Sequence, residues 1–170
     1  MLKLACSLNR NRFKVFSLVL LLVFGWSVIL FGASSDHHVE RILKLKQQPE
    51  GVVFEIVTSA SGLKWAIPKV RSYARSLRNK WPKIKIAVVS HGNEQFALTK
   101  TRQSKFTQVH KQVKNLTGDL NIPVHICQTY AEMNGVSPEA FPKYVNVSTS
   151  GPGEIKNYLE FGYLRVKVTH

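Results

Sequence analysis

After residue 50 the chain alternates short β-branched runs with segments whose apolar residues recur at helical spacing. Apolar runs at residues 52–57, 84–89, 122–127 and 163–168, with a shorter one at 144–147, predict five strands. Apolar residues three and four positions apart predict amphipathic helices over 63–81 and 106–120, and a further helix is predicted over 154–161. Strands that alternate with helices build a mostly parallel sheet covered on both faces. The pattern therefore predicts a single three-layer α/β domain with a five-stranded sheet.

Two details of the helices follow from single residues. Proline is tolerated in the first turn of a helix, so Pro68 predicts that the regular part of the first helix begins near that residue. In the second helix, His110 falls on the polar side of the apolar stripe.

The N-terminus predicts a different kind of segment. Residues 1–14 contain four basic side chains, and residues 15–33 contain no charge. A helix over 15–33 would be about 28 Å long, close to the ~30 Å hydrocarbon core of a bilayer. We therefore expect a basic tail at 1–14, a transmembrane anchor or signal segment at 15–33, a linker at 34–50 and the α/β domain at 51–170.

The basic residues on either side of the apolar segment predict its orientation. Four precede it, whereas Arg41, Lys44 and Lys46 follow it, which favours a cytoplasmic N-terminus. The domain would then be membrane-anchored outside the cytoplasm, on the periplasmic side if the cell is bacterial. Ala33-Ser34-Ser35 fits the small-x-small rule of signal cleavage, so secretion after cleavage is the alternative.

The charge balance favours anionic partners. The chain has 24 Lys and Arg against 10 Asp and Glu, a formal net charge of +14. Such an excess attracts acidic proteins, phosphates or acidic lipid surfaces. On the first predicted helix, the polar face from Lys69 to Arg78 is basic and could dock an acidic protein or membrane surface. Nucleic acid is not expected as a partner, because the basic residues lack interleaved exposed aromatic residues.

Candidate chemistry is expected where the predicted strands end, because ligands gather at the carboxyl ends of parallel strands. Cys127 ends the third strand, and the following residues could open a helix, whose dipole would favour the thiolate. His91 ends the neighbouring strand and could stabilise that thiolate or move a proton. The alternatives are a buried Cys127 that serves as apolar filler and a His91 that bonds backbone in a turn.

A second set of residues at the strand ends could bind an anion. Ser150-Gly151-Pro152-Gly153 could form an anion-binding turn at a helix N-terminus, although helix initiation needs the same residues. Ser59 and Gly92 complete the predicted ligand-binding set. The sequence has no Cys-x-x-Cys, phosphate-loop, dinucleotide-binding or His-Glu-x-x-His motif, so we expect no metal and no other cofactor.

The amino-acid sequence at the strand ends resembles the DsrE/DsrF-like family of sulfur-relay proteins over residues 51–168. The resemblance is carried by the first strand through Thr58-Ser59, Val88-Val89-Ser90-His91-Gly92 at the second strand end, Ile126-Cys127 with Gly135 eight positions later, and Ser150-Gly151 with Glu160-Phe161-Gly162-Tyr163. Many relatives read Cys-x-Asn-Thr where this chain has Cys127-Gln128-Thr129-Tyr130. The missing asparagine is a departure in the loop that holds the cysteine.

The resemblance implies a compact three-layer α/β fold that forms homo-oligomers. In sulfur-relay members it also implies a cysteine that carries a persulfide from a donor protein to an acceptor protein, and Cys127 falls at that position. The expected function is therefore a membrane-tethered sulfur carrier that uses Cys127 and His91. The alternative is a non-catalytic module of the same fold that docks an acidic protein or membrane surface.

Overall fold

A computed structural model describes residues 34–170, and the predicted tail and anchor or signal segment lie outside the described residues. Five strands form one sheet in which every neighbouring pair is parallel. They are β1 (Gly51–Ile56), β2 (Lys85–Ser90), β3 (Val124–Cys127), β4 (Asn146–Ser148) and β5 (Tyr163–Lys167). The predicted α/β domain with a mostly parallel five-stranded sheet is confirmed.

Within residues 34–170, five α-helices lie between and before the strands. They are α1 (Ser35–Leu43), α2 (Leu63–Lys80), α3 (Thr107–Gly118), α4 (Gln128–Met133) and α5 (Gly151–Glu160). Short 3₁₀ helices occupy Asn93–Leu98, Lys100–Arg102 and Pro138–Ala140.

The strand order β4-β3-β2-β1-β5 explains how the helices are divided between the two faces of the sheet. From β1 to β4 each strand is added on the same side of the one before it, and the chain then returns to place β5 beside β1. Parallel connections are right-handed, so reversing the direction of travel moves the connecting helix to the opposite face. Helix α5 therefore covers one face, while α1, α2 and α3 cover the other.

The two faces have different interiors. The face under α1, α2 and α3 is a large apolar core that includes Phe54, Ile56, Val88 and Ile126. The face under α5 has a small apolar cluster of Val53, Ala87, Val89 and Ile155. Side chains alternate between the faces along a strand, so the polar residues Glu55, His125 and Cys127 also lie on the α5 side.

Helix α2 begins at Leu63 with Pro68 inside it, so the predicted start near Pro68 is wrong. A proline inside a helix removes one backbone hydrogen bond. The turn before it nevertheless forms, because Leu63, Ala66 and Ile67 are all buried in the core. Burial of a large side chain such as Leu63 or Ile67 contributes about 1.5–3 kcal/mol. This offsets the one missing backbone hydrogen bond.

Part of the segment expected to be a linker is ordered against the domain. Helix α1 begins with Ser34 as its N-cap, and Val39 and Ile42 are buried in the larger core. The Ser35 hydroxyl bonds that of Tyr73 at 2.8 Å, and Asp36 pairs with Lys69 at 3.0 Å. The compact unit thus includes residues N-terminal to Gly51. Within residues 34–170, no helix combines the length and the apolar character that crossing a membrane requires.

Candidate functional site

Strand pairing places Cys127 and His91 side by side. In the sheet, Ser90 of β2 pairs with Ile126 of β3, and each is followed by one of the two residues. Cys127 in turn pairs with Ser148 of β4. A Cβ built at Gly151 would lie 2.3 Å from the Cβ of His91 and 3.3 Å from the Cβ of Cys127, so both side chains share one small region under α5.

Gly151 allows α5 to begin directly over these two side chains. A Cβ added at Gly151 would overlap the Cβ of His91 and would lie 3.3 Å from the Cβ of Cys127. Only a glycine therefore fits at this position without displacing them. The N-terminus of α5 forms the cover of the site, and the predicted residue Gly151 belongs to it as packing surface.

Cys127 is both the last residue of β3 and the N-cap of α4. Its Sγ accepts the Tyr130 N–H at 3.4 Å, which places the sulfur at the positive end of the short helix. The residue is only 4% exposed, yet its neighbours include polar groups and backbone. Helix α4 has only six residues, so it positions the cysteine but contributes a small helix dipole.

The backbone of Cys127 is held by the side chain of Gln95. Its Oε1 accepts the Cys127 N–H at 2.8 Å, and its Nε2 donates to the Cys127 carbonyl at 3.3 Å. Gln95 is fully buried in the 3₁₀ helix Asn93–Leu98. One amide therefore satisfies both backbone groups of the cysteine and limits its movement.

A second buried residue of this 3₁₀ helix ties the ends of β1 and β2 together. The Glu94 carboxylate accepts hydrogen bonds from the Ser90 hydroxyl at 2.8 Å, the Gly92 N–H at 2.9 Å and the Thr58 N–H at 2.7 Å. Three donors compensate for the burial of a charged group. Glu94 thus fixes the loop that carries His91.

His91 is paired with a carboxylate on its other side. Its Nε2 lies 3.1 Å from Oε1 of Glu55, a residue that is 8% exposed in the middle of β1. The second oxygen, Oε2, is buried without a hydrogen-bond partner, and Nη1 of Arg165 lies 3.8 Å from it. The α5 face of the sheet therefore carries, in order, Arg165 on β5, Glu55 on β1, His91 directly after β2 and Cys127 on β3.

A separate polar network lies beside this series under α5. His125 Nδ1 bonds the Ser148 hydroxyl at 2.9 Å, and His125 Nε2 bonds the Tyr158 hydroxyl at 2.9 Å. Burial lowers the pKa of His125, although Glu154 at 3.6 Å acts in the opposite direction. Burial also raises the pKa of Tyr158 to about 12. Near neutral pH both the His125 imidazole and the Tyr158 phenol are therefore uncharged. Their hydrogen bonds connect α5 to the sheet.

The remaining predicted site residues are placed as follows. Gly92 donates its N–H to Glu94 and so supports the loop of His91. Ser150 is the N-cap of α5, where its Oγ accepts the Gly153 N–H at 3.2 Å. Ser59 is exposed, and its carbonyl accepts the Gly62 N–H in the loop before α2. Cys127, His91, Gly92 and Gly151 are brought together, whereas Ser59 makes no described contact with them.

His110 differs from its prediction, because it is buried and does not lie on an exposed polar side. Its Nε2 bonds the Ala97 carbonyl at 2.9 Å, and its Nδ1 bonds the Tyr144 hydroxyl. Burial lowers the pKa of His110. Its partners come from the 3₁₀ helix Asn93–Leu98 and from the loop before β4, which hydrophobic periodicity does not reveal.

Three residues that the sequence reasoning missed hold this site together: Glu55, Glu94 and Gln95. Glu55 had a visible signal, because it is the one charged residue within an otherwise apolar strand. Glu94 and Gln95 follow His91-Gly92 in a segment without strand or helix periodicity, and their burial follows from the tertiary packing. In residues 34–170, no three His, Cys, Asp or Glu side chains are grouped to bind a metal ion.

Comparison with known proteins supports the fold. No family model matches the chain, and no curated protein matches it. MTH1491, a protein of unknown function from Methanobacterium thermoautotrophicum, has a similar structure, with a TM-score of 0.55 and 22% identity over 68% of this chain and 96% of that one. The ychN protein from E. coli gives a TM-score of 0.52 and 14% identity over 71% of this chain and 99% of that one.

A third similar structure, the conserved protein of unknown function BT1422 from Bacteroides thetaiotaomicron, gives a TM-score of 0.50 and 15% identity over 70% of this chain and 95% of that one. Identities this low describe the fold and carry no activity. The described domain therefore shares its α/β fold with these three proteins.

Proposed function

We propose that this protein is a sulfur carrier that holds a persulfide on Cys127. The observation that carries the proposal is the position of Cys127 Sγ, which accepts a backbone N–H at the start of α4 and lies beside His91 on the adjacent strand. A thiolate is favoured by a helix N-terminus and by a neighbouring imidazolium. The DsrE/DsrF-like resemblance of the strand ends supports the same reaction.

The proposed reaction is the transfer of one sulfur atom between thiols. The Cys127 thiolate attacks the outer sulfur of a donor persulfide, R–S–SH, and forms a new S–S bond. The S–S bond of the donor breaks, and the donor leaves as a thiolate that takes up the proton lost by Cys127. The oxidation state of the transferred sulfur is passed on unchanged, so the step needs no external oxidant, reductant or metal.

The burial of Cys127 shapes how such a transfer proceeds. Cys127 is 4% exposed, so a donor reaches its sulfur only when the residues that cover it move. The start of α5 at Gly151 is one of the segments that cover it. A persulfide extends the side chain by one S–S bond of about 2.05 Å. Accommodating its outer sulfur would therefore also require the residues around the thiol to move.

The same proposal includes the partners and location expected from the sequence. A donor and an acceptor protein with reactive thiols are required, because no second cysteine follows Cys127 in the chain. Residues 15–33 would tether the domain to a membrane, with the domain outside the cytoplasm, and the family resemblance favours a homo-oligomer. Thiol labelling of intact cells with an impermeant reagent tests the location, and light scattering tests the assembly.

Mass spectrometry of the intact protein tests the sulfur-carrier proposal. The full chain is incubated with glutathione persulfide and then digested to assign any adduct to a cysteine. We expect the Cys127 peptide to gain one sulfur atom that a reductant removes, and we expect no such gain in Cys127→Ser. A folded wild type whose Cys127 gains no sulfur at any persulfide concentration would exclude the proposal.

A second function, docking of an acidic protein, is favoured by a groove along α2. Arg71, Arg75 and Arg78 line this groove, whose volume is about 220 Å³. Within residues 34–170, none of the three forms an ion pair with a carboxylate. Arginines without carboxylate partners are free to bind a partner's carboxylates in the bidentate geometry that guanidinium favours.

Binding to a polyglutamate peptide tests the docking function. We expect salt-sensitive binding to the wild type and at least about tenfold weaker binding to Arg71→Gln/Arg75→Gln/Arg78→Gln. Lys143→Gln/Lys156→Gln, which removes exposed positive charge elsewhere, is the control. If both variants lose affinity equally, the groove has no specific docking role.

A further inference from the structure

The pairing of Glu55 with His91 determines which imidazole nitrogen is available beside Cys127. The carboxylate oxygen Oε1 can only accept, so the Nε2 at 3.1 Å must carry a hydrogen. Among residues 34–170, the one hydrogen bond of the His91 ring is that of Nε2, so in the neutral ring Nδ1 is the nitrogen that can accept a proton. The backbone N–H of His91 bonds the Ile56 carbonyl, which keeps the residue at the end of β2.

Glu55 itself is incompletely satisfied, which points to a role beyond structure. It is 8% exposed, and its Oε2 is buried without a hydrogen-bond partner. A buried carboxylate with one free oxygen favours positive charge nearby. Arg165 contributes at 3.8 Å, but its side chain is 45% exposed and partly solvated. The imidazole is therefore the group on which a positive charge would be stabilised most directly.

We propose that Glu55 is a positioning residue for the sulfur transfer, which orients His91 as the Nε2–H tautomer and stabilises the imidazolium formed when Nδ1 takes the proton of the Cys127 thiol. This inference rests on the proposed sulfur-carrier function. In the first half of the step, the S–H bond of Cys127 breaks and an N–H bond forms at Nδ1. When the donor thiolate leaves, it takes that proton back from Nδ1, so His91 and Glu55 return to their starting state.

Cys127, His91 and Glu55 resemble in their roles the nucleophile, base and orienting carboxylate of other thiol and hydroxyl enzymes. Here Cys127 is the last residue of β3, His91 directly follows β2, and Glu55 lies on β1 one residue before the position that pairs with Ser90. The other titratable or charged groups around them are Arg165 and Lys167 on β5, Glu94 in the 3₁₀ helix, His125 on β3, Tyr130 on α4, and Glu154 and Tyr158 on α5.

The pH dependence of Cys127 alkylation tests the inference. The full chain is treated with iodoacetamide over a range of pH, and modification of the Cys127 peptide is quantified by mass spectrometry. Loss of the Glu55 charge destabilises the imidazolium–thiolate pair, so we expect the midpoint of the profile to move upward by about one pH unit or more in Glu55→Gln. Glu55→Asp retains the charge and should restore part of the shift.

Glu154→Gln is the matched control, since it changes an acidic residue of the same face that contacts His125. We expect its midpoint to equal that of the wild type. An unchanged midpoint in folded Glu55→Gln, or an equal shift in Glu154→Gln, would overturn the role of Glu55. Nitrogen NMR of wild-type His91 gives a test without any variant, because the neutral ring must be the Nε2–H tautomer and an Nδ1–H tautomer would contradict the inference.

The two proposals fail in different ways. If Cys127 of the wild type accepts sulfur but the midpoint does not respond to Glu55, the sulfur-carrier function stands and the role of Glu55 is excluded. If the midpoint shifts but Cys127 accepts no sulfur, the relay exists and its use in sulfur transfer is excluded.

Discussion

Gln95 and Cys127 are joined by two hydrogen bonds between one side-chain amide and both backbone groups of the cysteine. The two residues lie 32 positions apart in the chain, and both are buried. The amide thus connects the 3₁₀ helix after β2 with the end of β3. Because these two hydrogen bonds limit the movement of the Cys127 backbone, they help to hold its sulfur at the start of α4 and near His91.

Replacement of Gln95 should therefore weaken the fold and the position of the sulfur together. In Gln95→Leu the N–H and carbonyl of Cys127 lose their partners inside the core. A buried unsatisfied polar group costs about 1–3 kcal/mol, so we expect a loss of that order in the free energy of unfolding. Urea denaturation measures it. Gln108→Ala, at an exposed residue, is the control. Equal stabilities for the two variants would contradict the role of the Gln95 amide in satisfying the backbone of Cys127.

Gly151 should tolerate no side chain. In Gly151→Ala the new methyl group overlaps the Cβ of His91, so α5 must move away from the sheet. Overpacking of this kind costs about 1–3 kcal/mol. We expect Gly151→Ala to lower the free energy of unfolding by that amount and to raise the alkylation rate of Cys127.

Gly118→Ala provides the comparison for that variant, because a Cβ there meets no atom within 4 Å at the end of α3. Alanine is favoured over glycine in helices by up to about 1 kcal/mol, so this control should be as stable as the wild type or more so. A Gly151→Ala protein with wild-type stability and an unaltered Cys127 rate would show that the start of α5 does not cover the site.

Glu94 should be sensitive even to an isosteric change. All three of its partners are donors, so the amide nitrogen of Glu94→Gln would face another donor. We expect a loss of about 1–3 kcal/mol in the free energy of unfolding, measured by urea denaturation. The exposed Glu132→Gln removes a charge in α4 and should change the stability little. Equal effects of the two substitutions would contradict the anchoring role of Glu94.

The stability of the domain should fall on mild acidification. Burial lowers the pKa of His110 and His125 below the 6.5 of a free imidazole. Below pH 6.5 the unfolded chain therefore binds protons that the folded domain does not bind, so stability is lost as the pH falls and is retained above 6.5. The melting temperature should decrease between about pH 7 and 5.

The variant that isolates one of these residues is His125→Gln, which retains a polar side chain without a titrating ring. We expect its melting temperature to depend less steeply on pH than that of the wild type over the same range. A wild-type melting temperature that is constant or rises on acidification would show that these imidazoles are not buried in the neutral form.

The fold was predictable because the strands and long helices have clear apolar periodicity, and right-handed connections leave few topologies for such a pattern. Cys127 and His91 could be placed at neighbouring strand ends by the same argument. Gln95 and Glu94 could not, because their segment has neither a period of two nor one of 3.6 and is buried by long-range contacts. Helix α2 starts before Pro68 because burial of Leu63 and Ile67 outweighs the local preference of proline for the first turn.

The most direct test of the central claim is the passage of sulfur from Cys127 to a second thiol. The persulfidated full chain is separated from its donor and mixed with an excess of a small acceptor thiol, and both products are followed by mass spectrometry. We predict that the Cys127 peptide loses one sulfur atom as the acceptor gains one, and that Cys127→Ser transfers none. A Cys127 persulfide that passes no sulfur to the acceptor, or transfer that persists in Cys127→Ser, would contradict the account.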